Sequence, residues 1–284
     1  MRDTARLREW IARLIRSKVP LYLALILLAV WTLFPFYTGA ISALSTEGGV
    51  GALWPQARHL TTRYVADLIR GDDRLLPPLL NSAVVTLVTI AIVLVLALPA
   101  GYGFSRWRGR TSRSVYLLFF VLRMLPPIAL VIPWFLIIAG WDLMDTYIGL
   151  VITYIPFRLC LGVWLMKGFF DTIPFEIEEA AAIDGASAWQ TFTRVILPLS
   201  RNGVSVTIVF AGIQSYIEYM YAVSLTRRVT TTLPVFIAAF ATPWSIRYQH
   251  MLGAALIGTI PMILLFLAAQ KQIVRGVTGG MIKG

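Results

Sequence analysis

The side chains able to do chemistry are few, and most of them lie inside apolar stretches. Arg123 and Arg158 interrupt two such stretches, and Gln214, Tyr216 and Glu218 cluster in a third. An ionised group there is costly unless it faces a bundle interior, a watery cavity or an opposite charge. Arg158, one helical turn from Tyr154, has two open readings. It pairs with Glu218, Asp142 or a backbone carbonyl, or its forked donors take a carboxylate, sulfonate or phosphate on a polar glycoside. Glu218 either lines a pathway or anchors at the interface, reaching water. Gln214 and the tyrosines either join helices by hydrogen bonds or offer polar tips and aromatic faces to a sugar ring. Tyr154, Arg158, Gln214, Tyr216 and Glu218 are therefore the candidates for a solute pathway.

Other chemistries are poorly supplied. His59 and His250 fall in different polar links, and no His-Glu-x-x-His pair occurs. Glu178 and Glu179 are adjacent and so point to different faces of a helix. Cys160 is the single cysteine, which excludes an internal disulfide or a multi-cysteine metal site. No Gly-x-x-x-x-Gly-Lys-Ser/Thr loop is present to cradle a nucleotide. A membrane-embedded enzyme, the main rival class, lacks positioned acids, bases and metal ligands, so neither a catalytic residue nor a bound cofactor is expected.

The elements that must position these groups follow from composition. Of 284 residues, 58% are hydrophobic and 14% are charged, and the mean hydropathy is +0.75. A soluble domain carries about 25% charged residues, and this chain has too few to cover its surface. Six spans are expected, near Val19–Leu44, Leu79–Phe104, Val115–Ala139, Ile148–Phe170, Val204–Leu225 and Leu252–Ala269, each long enough to cross a hydrocarbon core about 30 Å thick. The chain divides into a basic N-terminus (1–18), a first span (19–44), a core of five spans (79–270) and a tail (271–284). The first apolar run is too long for a signal-peptide core and is expected to remain as a span.

The formal charge of +11 is explained by the bilayer rather than by nucleic acid, because the basic residues flank the spans. Arg2, Arg6, Arg8, Arg13, Arg16 and Lys18 precede the first span, and Arg106, Arg108, Arg110 and Arg113 crowd the link between the second and third. The positive-inside rule then places both termini and the segment 171–202 in the cytoplasm.

That cytoplasmic segment, 171–200, carries the most specific pattern. Pro174 suits a first helical turn, and Glu176, Glu178 and Glu179 complement the positive end of a helix dipole. Gly185 can end the helix in a left-handed conformation. A second short helix is expected from about Ser187 to Val195, stopping before Pro198. The product is a rigid, alanine-rich helix–turn–helix able either to transmit force to a soluble partner or to rest on lipid headgroups.

Glu179-Ala180-Ala181, Gly185 and Val195-Ile196-Leu197-Pro198 resemble the "EAA" loop of permease subunits in bacterial ATP-driven importers, with Val195 in place of the usual isoleucine. The resemblance covers nearly the whole chain and narrows to the maltose-type, carbohydrate-importing branch, in its smaller, MalG-like type. Asn81-Ser82, Ala100 through Arg106, Leu125-Pro126-Pro127, Val131-Ile132-Pro133, Leu233-Pro234 and the ending from Gln270 to Gly284 match that branch. At Tyr216-Ile217-Glu218-Tyr219 the family's Trp-Asn-Glu-Phe has lost its asparagine, so no role of that amide carries over. The resemblance implies a multi-pass inner-membrane subunit in a heterodimer with a second permease. It further implies that Glu178, Glu179, Ala180, Ala181, Asp184, Gly185, Ala186 and Pro198 form the contact with an ATPase dimer. ATP and Mg²⁺ would be used by that ATPase and not by this chain. A periplasmic or lipid-anchored binding protein would deliver the sugar, meeting the outer loop 226–250. An amino-acid or peptide permease is the alternative within the family.

Overall fold

The computed structural model describes residues 18–46, 60–71, 74–107 and 109–281, with side chains as far as Lys271. The basic stretch 1–17, His59, Arg108 and the last three residues lie outside the described residues. The described residues are almost entirely helical, with two isolated bridges (Ser45 to Leu60 and Ala241 to Ile246) in place of any strand.

The helices are α1 (Val19–Ala43), α2 (Arg63–Arg70), α3 (Leu76–Arg106), α4 (Arg110–Met124), α5 (Pro127–Gly140), α6 (Tyr147–Asp171), α7 (Glu176–Ile183), α8 (Ala188–Leu199), α9 (Arg201–Tyr216), α10 (Met220–Leu225), α11 (Leu233–Ala238) and α12 (Tyr248–Met281). Among the described residues, four helices are long and apolar enough to cross a membrane by themselves, namely α1, α3, α6 and the Tyr248–Lys271 part of α12. The number becomes six when the bent pairs α4–α5 and α8–α9 each count as one span. The all-helical, multi-pass class expected from the sequence is the class observed.

Two expected spans are not straight. Val115–Ala139 is broken by a 95° bend between α4 and α5. Pro126 and Pro127 cause it: neither has an N–H to continue the ladder, and each forces the residue before it out of the helical region. Leu125 and Pro126 accordingly have ψ of 126° and 129°. The expected span Val204–Leu225 ends early, at Tyr216, and resumes as α10 after a break at 217–219. At its other end α9 meets α8 at 75°.

The chain forms two units. The first, residues 1–73 and 240–257, contains α1 and α2. Residues 19–36 of α1 are exposed on every side, which a span this apolar tolerates only when lipid covers it. In the same unit Leu68 is fully buried, and the His250 ring meets Tyr64 and Phe240 edge-on and stacked, respectively.

The second unit, residues 74–239 and 258–284, is built on α3, α6 and α9, which pack against one another. Small residues set the spacing. A Cβ on Gly162 of α6 would come within 3.1 Å of both Ala97 and Val93 on α3, and one on Gly101 within 2.9 Å of Met166. Close backbone approach of this kind replaces the hydrophobic effect as the source of contact between helices in lipid.

Candidate functional site: a wired helix–turn–helix and a charged pocket

The segment 171–200 folds as a helix–turn–helix with a tightly specified corner. Phe175 caps α7, so Pro174 lies just ahead of the helix rather than in its first turn, which holds Glu176, Glu178 and Glu179. At the far end Gly185 takes φ of +84°. Its N–H donates to Ala182 O at 3.0 Å and the Ala186 N–H donates to Ala181 O at 2.9 Å, the paired closure of a Schellman motif. Ser187 then starts α8 with a capping box: its N–H donates to Gln190 Oε1 at 2.8 Å and its Oγ accepts from the Gln190 N–H at 3.3 Å.

The second helix does not stop before Pro198, as expected, but runs through to Leu199. Residues Thr191–Ile196 widen into a π-helical turn ahead of the proline. The wider turn frees the carbonyl that the proline ring would otherwise strike.

The two faces of this unit differ. Inward, Phe192 and Ile196 are buried with Met166 and Phe170 of α6, and Ala181 is buried. Glu178 also turns inward. It accepts from Arg106 Nε and from the Tyr102 hydroxyl (2.6 Å), both on α3, while Arg106 Nη2 donates to Ile173 O at 3.1 Å. Outward, Glu179, Ala180, Asp184, Gly185 and Pro198 are exposed, Ala186 is half-buried, and Ile183 and Trp189 stand out at 85% and 68% exposure. Of the eight residues expected at the contact, Glu178 and Ala181 thus hold the unit to its own chain, and the rest line its open face.

A pocket of about 580 Å³ gathers three of the five pathway candidates, Arg158, Gln214 and Glu218. Arg158 is 3% exposed. Its Nη2 donates to Glu218 Oε2 and to Gln214 O, both at 2.8 Å, its Nη1 donates to Tyr154 O at 3.3 Å, and its guanidinium lies 4.6 Å from the centre of the Tyr154 ring. Of its two open readings, pairing with Glu218 and with backbone carbonyls is the one the structure shows: both Nη atoms donate within the chain, while the buried Nε has no hydrogen-bond partner among the described residues. Glu218 Oε1 accepts from the Met220 N–H at 3.1 Å, so the same carboxylate starts α10 and fixes the break at 217–219.

Tyr154 and Tyr216 do not line this pocket. Tyr154 is fully buried in the hydrophobic core. Tyr216 is 5% exposed and donates from its hydroxyl to Gly258 O at 2.7 Å, tying α9 to α12. Each completes helix packing. In their place the pocket is lined by Arg123, Phe157 and Tyr221, the last two stacked at 5.7 Å. Tyr221 borders the pocket but is itself 1% exposed, in the same core cluster as Tyr154.

At the far end of α3 and α6 the loop after α10 is held by a residue the sequence reading passed over. Asp145, itself at φ 55°, accepts from the backbone N–H groups of Arg227 (3.1 Å), Arg228, Val229 and Thr230 (3.0 Å each) and from the Thr230 hydroxyl (2.9 Å). Burial disfavours its charge, but the four backbone donors outweigh that effect and hold the carboxyl well below the usual carboxylate range. Asn81 donates to Val229 O and Thr231 O and accepts from the Tyr147 hydroxyl, and Ser82 Oγ accepts from the Leu233 N–H at 2.8 Å. Among the described residues, no cluster of three or more His, Cys, Asp or Glu side chains could hold a metal ion.

Comparison with known proteins gives this arrangement its relatives. Residues 93–278 match the family described as the binding-protein-dependent transport system inner membrane component. The chain is 33% identical to the trehalose/maltose transport system permease protein MalG of Thermococcus litoralis, over 94% of this chain and 98% of that one. It is 30% identical to the inner membrane ABC transporter permease protein YcjP of Escherichia coli, over 94% and 97%. Its fold is similar to a subunit of a crystallised bacterial ABC transporter that imports the acidic polysaccharide alginate, with a TM-score of 0.69, 22% identity and coverage of 90% and 95%.

Proposed function

The chain belongs to the family of binding-protein-dependent transport system inner membrane components, transporter subunits that are not themselves enzymes, and from that premise we propose that it is one permease half of an ATP-driven carbohydrate importer. The chain pairs with a second, different permease, and solute crosses between the two. A dimeric ATPase, which holds the ATP and Mg²⁺, docks on the open face of segment 171–200. A periplasmic or lipid-anchored binding protein delivers the solute from outside. Both termini and the helix–turn–helix lie on the cytoplasmic side.

The observation that carries this reading is the two-faced helix–turn–helix. Its outer face offers Ala180, Ile183 and Trp189 uncovered by the chain, an apolar surface that a partner of matching shape would bury. Its inner face is joined by Glu178 and Arg106 to α3, a helix of the packed core. A push on the outer face therefore reaches the spans through a charged hydrogen bond and through Phe192 and Ile196. The carbohydrate assignment rests on the trehalose/maltose transport for which the Thermococcus litoralis relative is named and on half-buried Phe157 in the pocket lining, an aromatic ring suited to the CH face of a sugar.

The test is reconstitution of the chain with its permease, ATPase and binding-protein partners in proteoliposomes. Accumulation of a radiolabelled mono- or oligosaccharide, dependent on ATP and on the binding protein, is the expected result. Accumulation of an amino acid or peptide with no sugar uptake would overturn the solute class, and absence of ATP dependence would overturn the coupling.

A further inference from the structure

We propose that the pocket between the ends of α3, α4 and α6, next to the lead-in of α7, binds the phosphodiester of an anionic phospholipid, with Arg113 as its cation. This site is separate from the solute pocket and does not rest on the nature of the solute. It measures about 870 Å³, and its lining combines apolar Phe104, Tyr116 and Leu117 with three cations, Arg106, Arg113 and Lys167, and one carboxylate, Asp171.

The charges in it are unevenly spent. Arg106 is held by Glu178. Lys167 lies 2.6 Å from Asp171 and 5.3 Å from the centre of the Tyr116 ring. The Arg113 guanidinium makes no hydrogen bond or ion pair among the described residues, although it lines the same pocket. Ser112, 3% exposed, also lines it and has no hydrogen-bond partner for its hydroxyl among the described residues.

The start of α4 points to the same ligand. Its cap is Gly109, which has no side chain to accept from the first N–H groups, and its first turn has no acidic residue but carries Arg110 and Arg113. Cations there oppose the helix dipole, and a bound anion reverses the sign of that interaction. The anion should bring an acyl chain with it. The pocket's apolar lining includes Leu117, 53% exposed, and Trp107, 62% exposed, where a span ends. Tryptophan at that level marks the headgroup zone, and a basic pocket between spans there suits a lipid headgroup better than a free anion. Ile173, Pro174 and Phe175 form part of the lining, so the lipid would bear on the segment that enters α7.

The experiment uses the full chain in nanodiscs of phosphatidylcholine doped with phosphatidylglycerol, extracted and weighed by native mass spectrometry. Preferential retention of phosphatidylglycerol is expected. Arg113→Gln should lower it about fivefold, the weight of one basic residue near an anionic surface. Arg113→Lys should keep most of it, Ser112→Leu should lower it by filling the pocket without changing charge, and Arg201→Gln, at the same end of the bundle but outside the pocket, should leave it unchanged. Equal retention of phosphatidylcholine, equal loss in Arg201→Gln, or displacement by inorganic phosphate alone would overturn the proposal.

Discussion

Arg106 at the end of α3 holds Glu178 in the first turn of α7, and the Tyr102 hydroxyl closes the other oxygen of the same carboxylate at 2.6 Å. The two arginine contacts, to Glu178 and to Ile173 O, join the segment 171–200 to α3, as does the Ser105 hydroxyl, which donates to Asp171 Oδ1 at 2.7 Å. The carboxylate also sits at the positive end of α7, where its charge is favoured.

A charge-assisted hydrogen bond of this kind contributes about 1.5–3 kcal/mol. In the reconstituted importer, Glu178→Ala should leave ATP hydrolysis largely intact while uptake per ATP falls several-fold. The exchange Arg106→Glu with Glu178→Arg should recover part of the loss. An unchanged ratio of uptake to hydrolysis in Glu178→Ala would show that the joint carries no force.

Gly185 tests the corner itself. A Cβ at this position meets nothing within 4 Å, so the whole cost of a side chain comes from its φ of +84°. Gly185→Val should therefore destabilise the corner by about 1–3 kcal/mol and impair assembly or coupling. Gly185→Asn, whose side chain tolerates left-handed backbone, should retain most activity. Equal behaviour of the two variants in pull-down of the ATPase and in uptake would mean that the turn is not the controlling feature.

The helical, multi-pass class and the Gly185 turn were legible in the sequence because both depend on local pattern: long uncharged runs and a glycine after an alanine-rich turn. Pro126-Pro127 signalled a kink, but a bend of 95° depends on how α5 packs after it, which spacing does not encode. Pro198 read as a stop because a π-helical turn at Thr191–Ile196 has no sequence signature of its own. Arg158 had Glu218, Asp142 and backbone carbonyls open to it, and only the geometry of α6 against α9 selects Glu218 with the carbonyls of Tyr154 and Gln214. Asp145 was missed because its partners are backbone N–H groups of 227–230, which look the same in any sequence. The available signal was two aspartates, Asp142 and Asp145, in a tight link with no basic residue. Asn81-Ser82 was visible only as a match, and the structure supplies its task of holding Val229, Thr231 and Leu233.

Asp145 makes a prediction about pH. Its folded pKa is depressed, so its contribution is present above the unfolded value, about 3.9, and is lost only as pH falls through the lower folded value. Order in the loop 226–232, followed by hydrogen exchange of the Arg227–Thr230 amides, should therefore be constant between pH 5 and 8. Asp145→Ala leaves four N–H groups without their acceptor, and about 1–3 kcal/mol of local protection should disappear across that whole range. Protection that changes between pH 5 and 8 in the unaltered chain would contradict the assignment of the charge.

The division among the pathway candidates can be read by thiol labelling, after Cys160→Ser removes the native thiol. Gln214 and Ile217 line the open pocket, whereas Tyr154 and Tyr216 are buried, at 0% and 5% exposure. Single cysteines at Gln214 and Ile217 should react with a membrane-impermeant maleimide in one nucleotide state of the complex and be protected in the other. Cysteines at Tyr154 and Tyr216 should stay unreactive in both. Tyr216→Phe, which loses the 2.7 Å bond to Gly258 O, should cost about 1 kcal/mol of stability and leave solute preference unchanged. Arg158→Gln strands Glu218 in a site where it is 16% exposed and removes its tie to α6. It should therefore lower the temperature of inactivation more than Tyr216→Phe does, and Arg158→Gln combined with Glu218→Gln should recover part of that loss. A pair that only binds solute would show the reverse: unaltered stability in each single variant and a change confined to the concentration of sugar needed for half-maximal uptake.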